Sequence, residues 1–146
     1  MHLAHLRLRD FRLDVEVIDM TRQVAAINIA GPRARALLQS VTPQDLAESA
    51  FPFLGVRETE LKGLPVRMLR VGFVGEVGYE IHLAYSHARQ LWRDLIELGQ
   101  ADDLLPFGVE TQRQLRLEKG HLIVSQDTDG VMHPFEPYIE SISGKL

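Results

Sequence analysis

Residues 58–83 read ETELKGLPVRMLRVGFVGEVGYEIHL and contain three extended runs separated by turn-forming residues. Residues 58–61 and 65–74 flank the Lys62-Gly63 dipeptide, which is typical of a tight turn between paired strands. Apolar and polar side chains alternate again over residues 79–83, as expected for a strand with one buried face. The stretch therefore predicts an antiparallel meander of three strands.

Two strands and a helix are predicted before this meander. Residues 13–18 alternate apolar and polar side chains, and residues 24–30 form an apolar run with β-branched members. Pro32 suits the first position of a helix, and apolar residues at helical spacing follow it as far as Ser40. A loop is predicted for residues 42–54, held to the core by the two phenylalanines of its FPF triplet.

A second helix follows the meander and completes the predicted fold class. Ser86 is a suitable N-cap, an apolar stripe follows it, and Gly99 stands where a C-cap belongs. Residues 109–119 are ambiguous, because their composition favours a helix while two leucines alternate as in a strand. The predicted fold is α+β, a mainly antiparallel sheet with helices on one face, in a single domain over residues 1–146.

Composition excludes several classes of protein. The 146 residues carry 16 Lys and Arg against 20 Asp and Glu, and this net charge of −4 without a basic run argues against nucleic-acid binding. No cysteine is present, which excludes disulfides and thiolate chemistry. No uninterrupted apolar run reaches membrane-spanning length, and the N-terminus lacks the apolar block of a signal peptide. We therefore expect a cytoplasmic protein without membrane contact.

Metal-binding and nucleophile motifs are missing as well. None of the six histidines is spaced to place two on one face of an element, so no metal site is predicted. Residues 127–130 begin like a calcium-binding loop but lack its later acidic ligand, and a capped turn is favoured. No serine lies in the G-x-S-x-G context of a hydrolase.

The richest chemical stretch is residues 72–82, GFVGEVGYEIH, which combines three glycines, two carboxylates, two aromatic rings and a histidine. The glycines serve a tight turn equally well, so both a turn and a binding site remain open. Glu80 lies mid-strand on the face opposite Tyr79. If that face is solvated, Glu80 has no special role; if it lines a pocket, its carboxylate can accept two parallel N–H bonds from an amidine-like edge.

Several motifs in fixed order resemble the folate-binding aminomethyltransferase superfamily, which includes the T-protein of glycine cleavage. The resemblance covers residues 13–136, and the wording of its motifs is more similar to the C-terminal region of sarcosine oxidase α subunits than to T-proteins. The motifs are GPRAR at 31–35, FVGEVGYEIH at 73–82, LW at 91–92, LRLEKGH at 115–121 and QDTDG at 126–130.

This resemblance implies a ferredoxin-like unit of a folate-binding fold, with tetrahydrofolate as the cofactor. In the family, tetrahydrofolate accepts a one-carbon unit from an aminomethyl-lipoyl carrier or from the imine left by sarcosine oxidation, and leaves as 5,10-methylenetetrahydrofolate. By the same resemblance Glu80 matches the glutamate that binds the pterin, Phe73 replaces a tyrosine, and Gln112 replaces an arginine that helps to hold the folate. Arg113 lies one residue further, about 100° away on a helix.

The resemblance also limits the expected activity. It implies that the family's catalytic aspartate falls before residue 1 and that the C-terminal β-barrel has no counterpart, so no catalytic residue is assigned. We therefore expect a folate-binding domain that acts as a homo-oligomer or with a partner subunit. The alternative is a catalytically inactive assembly or regulatory module of the same fold, with apolar surface left for a partner to cover.

Overall fold

The computed structural model describes residues 18–123 and 126–128. The predicted strand at residues 13–18 lies outside these residues except for Ile18, as do the last two residues of the predicted turn at 127–130. The described elements, in chain order, are β1 (Val24–Ala30), α1 (Ala34–Gln39), β2 (Val56–Leu61), β3 (Leu64–Leu69), β4 (Gly78–Ala84), α2 (Tyr85–Leu98), a 3₁₀ turn (Gly99–Asp102) and α3 (Val109–Lys119).

The four strands form one antiparallel sheet in the order β1-β4-β3-β2. The tight turn at Lys62-Gly63 is confirmed, since β2 and β3 pair directly across it with Leu61 opposite Leu64. Strand β4 returns between β3 and β1, with Ile81 opposite both Met68 and Ile27. The strand β1 thus lies at one edge of the described sheet.

One face of the sheet carries the core, as the alternation in β4 predicts. Tyr79, Ile81 and Leu83 are buried on this face, where α1 and α2 contribute Leu38 and Leu91. The α+β class, with a mainly antiparallel sheet and these two helices on one face, is confirmed. The opposite face of the sheet is called the open face below, because no described helix covers it; it includes Glu80 and His82.

The loop between α1 and β2 departs from the prediction in one respect. Phe51 is fully buried against the Tyr79 ring, with centroids 5.9 Å apart, as expected for an anchoring aromatic residue. Phe53 is 59% exposed, so the expectation that both rings hold the loop is wrong. The second buried anchor of the loop is instead Leu46.

The third predicted strand is too long. Strand β3 ends at Leu69 rather than at residue 74, because its pairing with the segment before β2 shifts out of register at Arg70. The Arg70 amide donates to the Gly55 carbonyl at 2.9 Å, and the Leu54 amide donates to the Arg70 carbonyl at 2.9 Å. Residues 70–77 form a loop that the β-branched valines of this stretch do not reveal.

The helix boundaries differ from two predicted caps. Helix α1 begins at Ala34 after a turn in which the Ala34 amide donates to the Gly31 carbonyl, so Pro32 precedes the helix. Helix α2 begins at Tyr85 directly after β4, and the Ser86 cap is wrong because the strand runs into the helix with no loop. The C-cap at Gly99 is confirmed.

Residues 109–119 are a helix, which resolves the ambiguity of their pattern. The helix α3 ends at Gly120, whose φ of +87° is the left-handed conformation that favours glycine at a C-cap. Within the described part of the chain, no helix is both long enough and apolar enough to cross a bilayer.

Candidate functional site

A cavity of about 640 Å³ opens beside the edge strand β1. Its walls come from β1, from loop residues 71–74, from the end of α2 and from the connection at residues 102–109. Its size lies within the range of small-molecule sites, about 300–1,000 Å³. The fold therefore leaves room for a small molecule at the edge of the sheet, beside β1.

The cavity wall is largely apolar, with polar groups at its rim. Trp92 and Leu95 of α2 and Phe107 of the connection all line the cavity. At the rim, Arg33 lies 3.5 Å from a carboxylate oxygen of Asp102, a pair whose two side chains are largely exposed. Such exposed pairs contribute little to stability. This pair therefore lies at the cavity entrance without stabilising the cavity wall appreciably.

The connection at residues 102–109 was not predicted from the sequence. The chain reverses at Asp103, whose φ is +57°, and Leu104 packs closely on the backbone of Gly99. A Cβ atom added to Gly99 would lie 2.4 Å from the Cβ of Leu104. The available signal was the apolar run Leu104-Leu105-Pro106-Phe107 between two helices, where a polar loop is the usual expectation.

Phe73 lines the cavity from the loop after β3. Its ring stacks on the imidazole of His121, with centroids 5.6 Å apart and planes 19° from parallel. The His121 carbonyl in turn accepts a hydrogen bond of 3.0 Å from Arg116 of α3. The loop that carries Phe73 is thereby joined to the end of α3.

Gln112 lines the same cavity from the first half of α3. Among the described residues its side-chain amide makes no hydrogen bond within the protein, so both the donor and the acceptor remain free for a ligand. Arg113 instead pairs with Glu110 at 2.8 Å and does not line the cavity. The neighbouring arginine therefore does not replace the family arginine in this cavity.

Glu80 does not line this cavity. It lies one strand inward on the open face, directly opposite Asn28 of β1, and Asn28 does line the cavity. The carboxylate of Glu80 forms a short hydrogen bond with Nε2 of His82. The structure thus brings Phe73 and Gln112 to one cavity and places Glu80 beside it.

A second, smaller cavity of about 430 Å³ adjoins the first and shares four of its lining residues. Those residues are Ala30, Gly31, Val74 and Phe107. The rest of the smaller cavity is lined by Gly75 and Leu115 and by three charged residues, Glu76, Glu118 and Lys119. We call the two cavities together the groove, and we call its smaller part, which is lined by Glu76, Glu118 and Lys119, the charged end.

A buried ion pair fixes the end of α3 next to this groove. Arg116 is buried and donates to both carboxylate oxygens of Asp127, one of them at 3.1 Å from Nη2. The Ile123 amide donates to the same carboxylate at 2.7 Å. The hydrogen bond from Arg116, followed by that from the Ile123 backbone, holds the pKa of Asp127 below its ordinary value. Sequence spacing gave no sign of this pair.

This lowered pKa predicts a pH dependence of stability. The bond stabilises the fold fully above the unfolded pKa, near 3.8, and this contribution is lost as pH falls through the lower folded pKa. Thermal unfolding should show Asp127→Asn less stable than the wild type at pH 5–8, with the gap closing toward pH 3. Glu97→Gln, which changes an exposed carboxylate on α2, is the matched control and should show no such gap. A gap that does not narrow at all as pH falls below 3.8 would contradict the assignment.

No group of three or more His, Cys, Asp or Glu side chains suited to a metal ion occurs in residues 18–123 and 126–128. The chemistry offered by the groove is therefore that of aromatic stacking, amide hydrogen bonding and carboxylate acceptance. A mainly apolar cavity of this size with a few polar groups is typical of a small-molecule site.

The family is shown by comparison with known proteins. The model of the GCVT N-terminal domain matches residues 1–142, and the chain belongs to this family. It is 38% identical over 136 residues to the sarcosine oxidase subunit alpha of Corynebacterium sp. strain P-1. The aligned region covers 92% of this chain and 14% of that subunit. The chain is 34% identical over 123 residues to the aminomethyltransferase of Alkaliphilus metalliredigens, covering 84% of this chain and 33% of that one.

A solved structure supports the fold. The heterotetrameric sarcosine oxidase from Corynebacterium sp. U-96, in complex with pyrrole 2-carboxylate, superposes with a TM-score of 0.56 at 22% identity. The match covers 64% of this chain and 46% of that one. The chain thus spans about a seventh of the sarcosine oxidase α subunits and a third of the aminomethyltransferases that it matches.

Proposed function

We propose that this chain is a tetrahydrofolate-binding domain for one-carbon transfer of the kind found in glycine cleavage or sarcosine oxidation. The observation that carries the proposal is that Phe73 and Gln112, two positions matched to folate-binding residues of the family, line one cavity. These two residues lie 39 positions apart in the sequence. Their meeting at one cavity supports a shared ligand.

The residues of the groove fit a reduced folate. A folate joins a planar, polar pterin to an aminobenzoyl ring and a glutamate, and when bound it supplies the acceptor for a one-carbon unit. The apolar wall at Trp92 and Phe107 suits the rings. The free amide of Gln112 can donate to and accept from the pterin.

Glu80 would complete recognition from the open face. Its carboxylate can accept the two parallel N–H bonds offered by the amino-pyrimidone edge of a pterin. The position of Glu80 supports this role, because Glu80 lies directly opposite Asn28, and Asn28 lines the cavity. The protein then acts mainly by holding the acceptor in place, since positioning alone lowers the barrier of a bimolecular transfer.

Isothermal titration with tetrahydrofolate tests the proposal, and we expect saturable binding with one site per chain. An absence of binding by the wild-type protein, as a monomer or as a dimer, would overturn it. Tetrahydrobiopterin, which keeps the pterin and lacks the aminobenzoylglutamate, should bind more weakly because it has no aminobenzoyl ring to pack on the apolar wall at Trp92 and Phe107.

Gln112 gives a second, residue-specific prediction. Gln112→Ala should weaken tetrahydrofolate binding about 2- to 10-fold, the scale of one neutral hydrogen bond. Arg113→Ala is the matched control on the same helix and should leave affinity unchanged, because Arg113 does not line the cavity. Equal losses for both variants in the titration would show that the helix, rather than the amide, matters.

An assembly role is the second candidate function. Leu105, Phe107 and Val109 expose large apolar side chains along the cavity rim, with Leu105 at 76%. Such a patch favours a protein partner, either a second copy or another subunit. Light scattering on the purified chain checks the first of these: a monodisperse monomer at high concentration would contradict assembly through a second copy. A cytoplasmic location accords with both candidates and belongs to the same proposal.

A further inference from the structure

Glu80 and His82 form a side-chain pair on the open face of the sheet. They lie two residues apart on β4 and therefore project from the same face. Both side chains are about one-third exposed, 34% for Glu80 and 31% for His82. Nε2 of His82 contacts Oε1 of Glu80 within hydrogen-bonding distance.

The residues opposite Glu80 on the neighbouring strands form no hydrogen bond with its carboxylate. The contact with His82 is therefore what restrains the orientation of this carboxylate. Leu69 of β3 and Asn28 of β1 are its partners in register. Leu69 has no side-chain polar group, and no hydrogen bond joins the Asn28 and Glu80 side chains. Among the described residues, His82 is thus the hydrogen-bond partner of the Glu80 carboxylate.

The neighbours of His82 do not compete for its ring. Ala26 of β1 and Arg67 of β3 are its partners in register. Ala26 has no polar side chain, and Nε of Arg67 is already bound to Glu58 at 2.6 Å. The charge of Arg67 is therefore paired with Glu58 of β2. The imidazole of His82 forms its hydrogen bond with the Glu80 carboxylate instead.

We propose that His82 is a positioning residue for the ligand-binding carboxylate of Glu80, an inference that rests on the proposed function. Donation from Nε2–H to Oε1 uses one of about four lone-pair sites of the carboxylate. The remaining sites on both oxygens can still accept two parallel N–H bonds. The imidazole therefore fixes the rotation of the carboxyl group and leaves its receiving edge open.

The first test removes the donor while keeping the ring. His82→Phe should weaken tetrahydrofolate binding about 3- to 10-fold in isothermal titration, the scale of one hydrogen bond. His82→Gln, whose side-chain amide restores an N–H donor, should recover part of that loss. Arg67→Gln is the matched control on the same face and should change affinity less than twofold, since Arg67 does not contact Glu80. If His82→Phe fails to fold, His82→Ala replaces it.

The second test separates positioning from a structural role through a double-mutant cycle. If His82 acts through the carboxylate, His82→Phe has no further effect on affinity in a Glu80→Ala background, where both acceptor oxygens are absent. Additive losses, an unchanged affinity of His82→Phe, or no recovery by His82→Gln would overturn the role of His82 while leaving folate binding intact. No binding by the wild type would instead overturn the proposed function together with this inference.

Discussion

Phe51→Ala should lower the free energy of unfolding by about 3–5 kcal/mol, the range measured for truncation of a buried aromatic ring. Phe51 is fully buried, its ring packs on Tyr79, and the Arg57 guanidinium lies 5.4 Å from its centroid. The backbone of Gly55 closes on the same ring, since a Cβ added there would lie 3.0 Å from a ring carbon. Little can move inward to fill the space that the ring vacates.

Urea unfolding of Phe53→Ala gives the control for this prediction. Phe53 lies two residues away in the same loop but is mostly exposed, and its truncation should change stability by no more than about 0.5 kcal/mol. A loss for Phe51→Ala below about 1 kcal/mol, or equal losses for the two variants, would mean that the loop is not anchored by Phe51. Because domains are stable by only about 5–15 kcal/mol in total, the expected loss is large.

The contrast between these two phenylalanines shows what the sequence could and could not predict. Alternation in β4 predicted its buried face, because the period of the backbone assigns each side chain to a side. The apolar stripe predicted for α2 includes Leu91 and Leu95, which are buried, but also Trp92, which is 45% exposed. The FPF triplet has no such period, so composition could not tell which ring turns inward. The same limit explains the strand β3, whose end depends on pairing between Arg70 and Gly55, fifteen residues apart.

The candidate site divides in a similar way. Phe73, Gln112 and Glu80 were selected by resemblance to family motifs, and the first two meet at one cavity. The wall that closes this cavity comes from residues 102–109, whose path depends on the close packing of Leu104 on Gly99. No local pattern encodes that path. The ion pair between Arg116 and Asp127 is likewise a tertiary contact that spacing does not reveal.

Glu80→Gln should weaken tetrahydrofolate binding about 10- to 150-fold. The change is nearly isosteric, but it removes the charge and converts one acceptor oxygen into an NH₂ group that faces the N–H donors of the pterin. A hydrogen bond to a charged group contributes about 1.5–3 kcal/mol, and each 1.4 kcal/mol changes the dissociation constant tenfold. Isothermal titration measures this loss. Glu76→Gln, at the charged end of the groove, is the control and should have a smaller effect.

A ligand variant tests which bond Glu80 accepts. A tetrahydrofolate analogue with a methyl group in place of the 2-amino group lacks one of the two N–H donors, so the wild type should bind it more weakly than tetrahydrofolate. In Glu80→Ala the two ligands should bind almost equally, because both acceptor oxygens are gone. If both proteins bind the analogue more weakly than tetrahydrofolate by the same factor, a group other than Glu80 accepts the hydrogen bond from the 2-amino group. Asn28, which lies opposite Glu80 and lines the cavity, would then be the residue to exchange next.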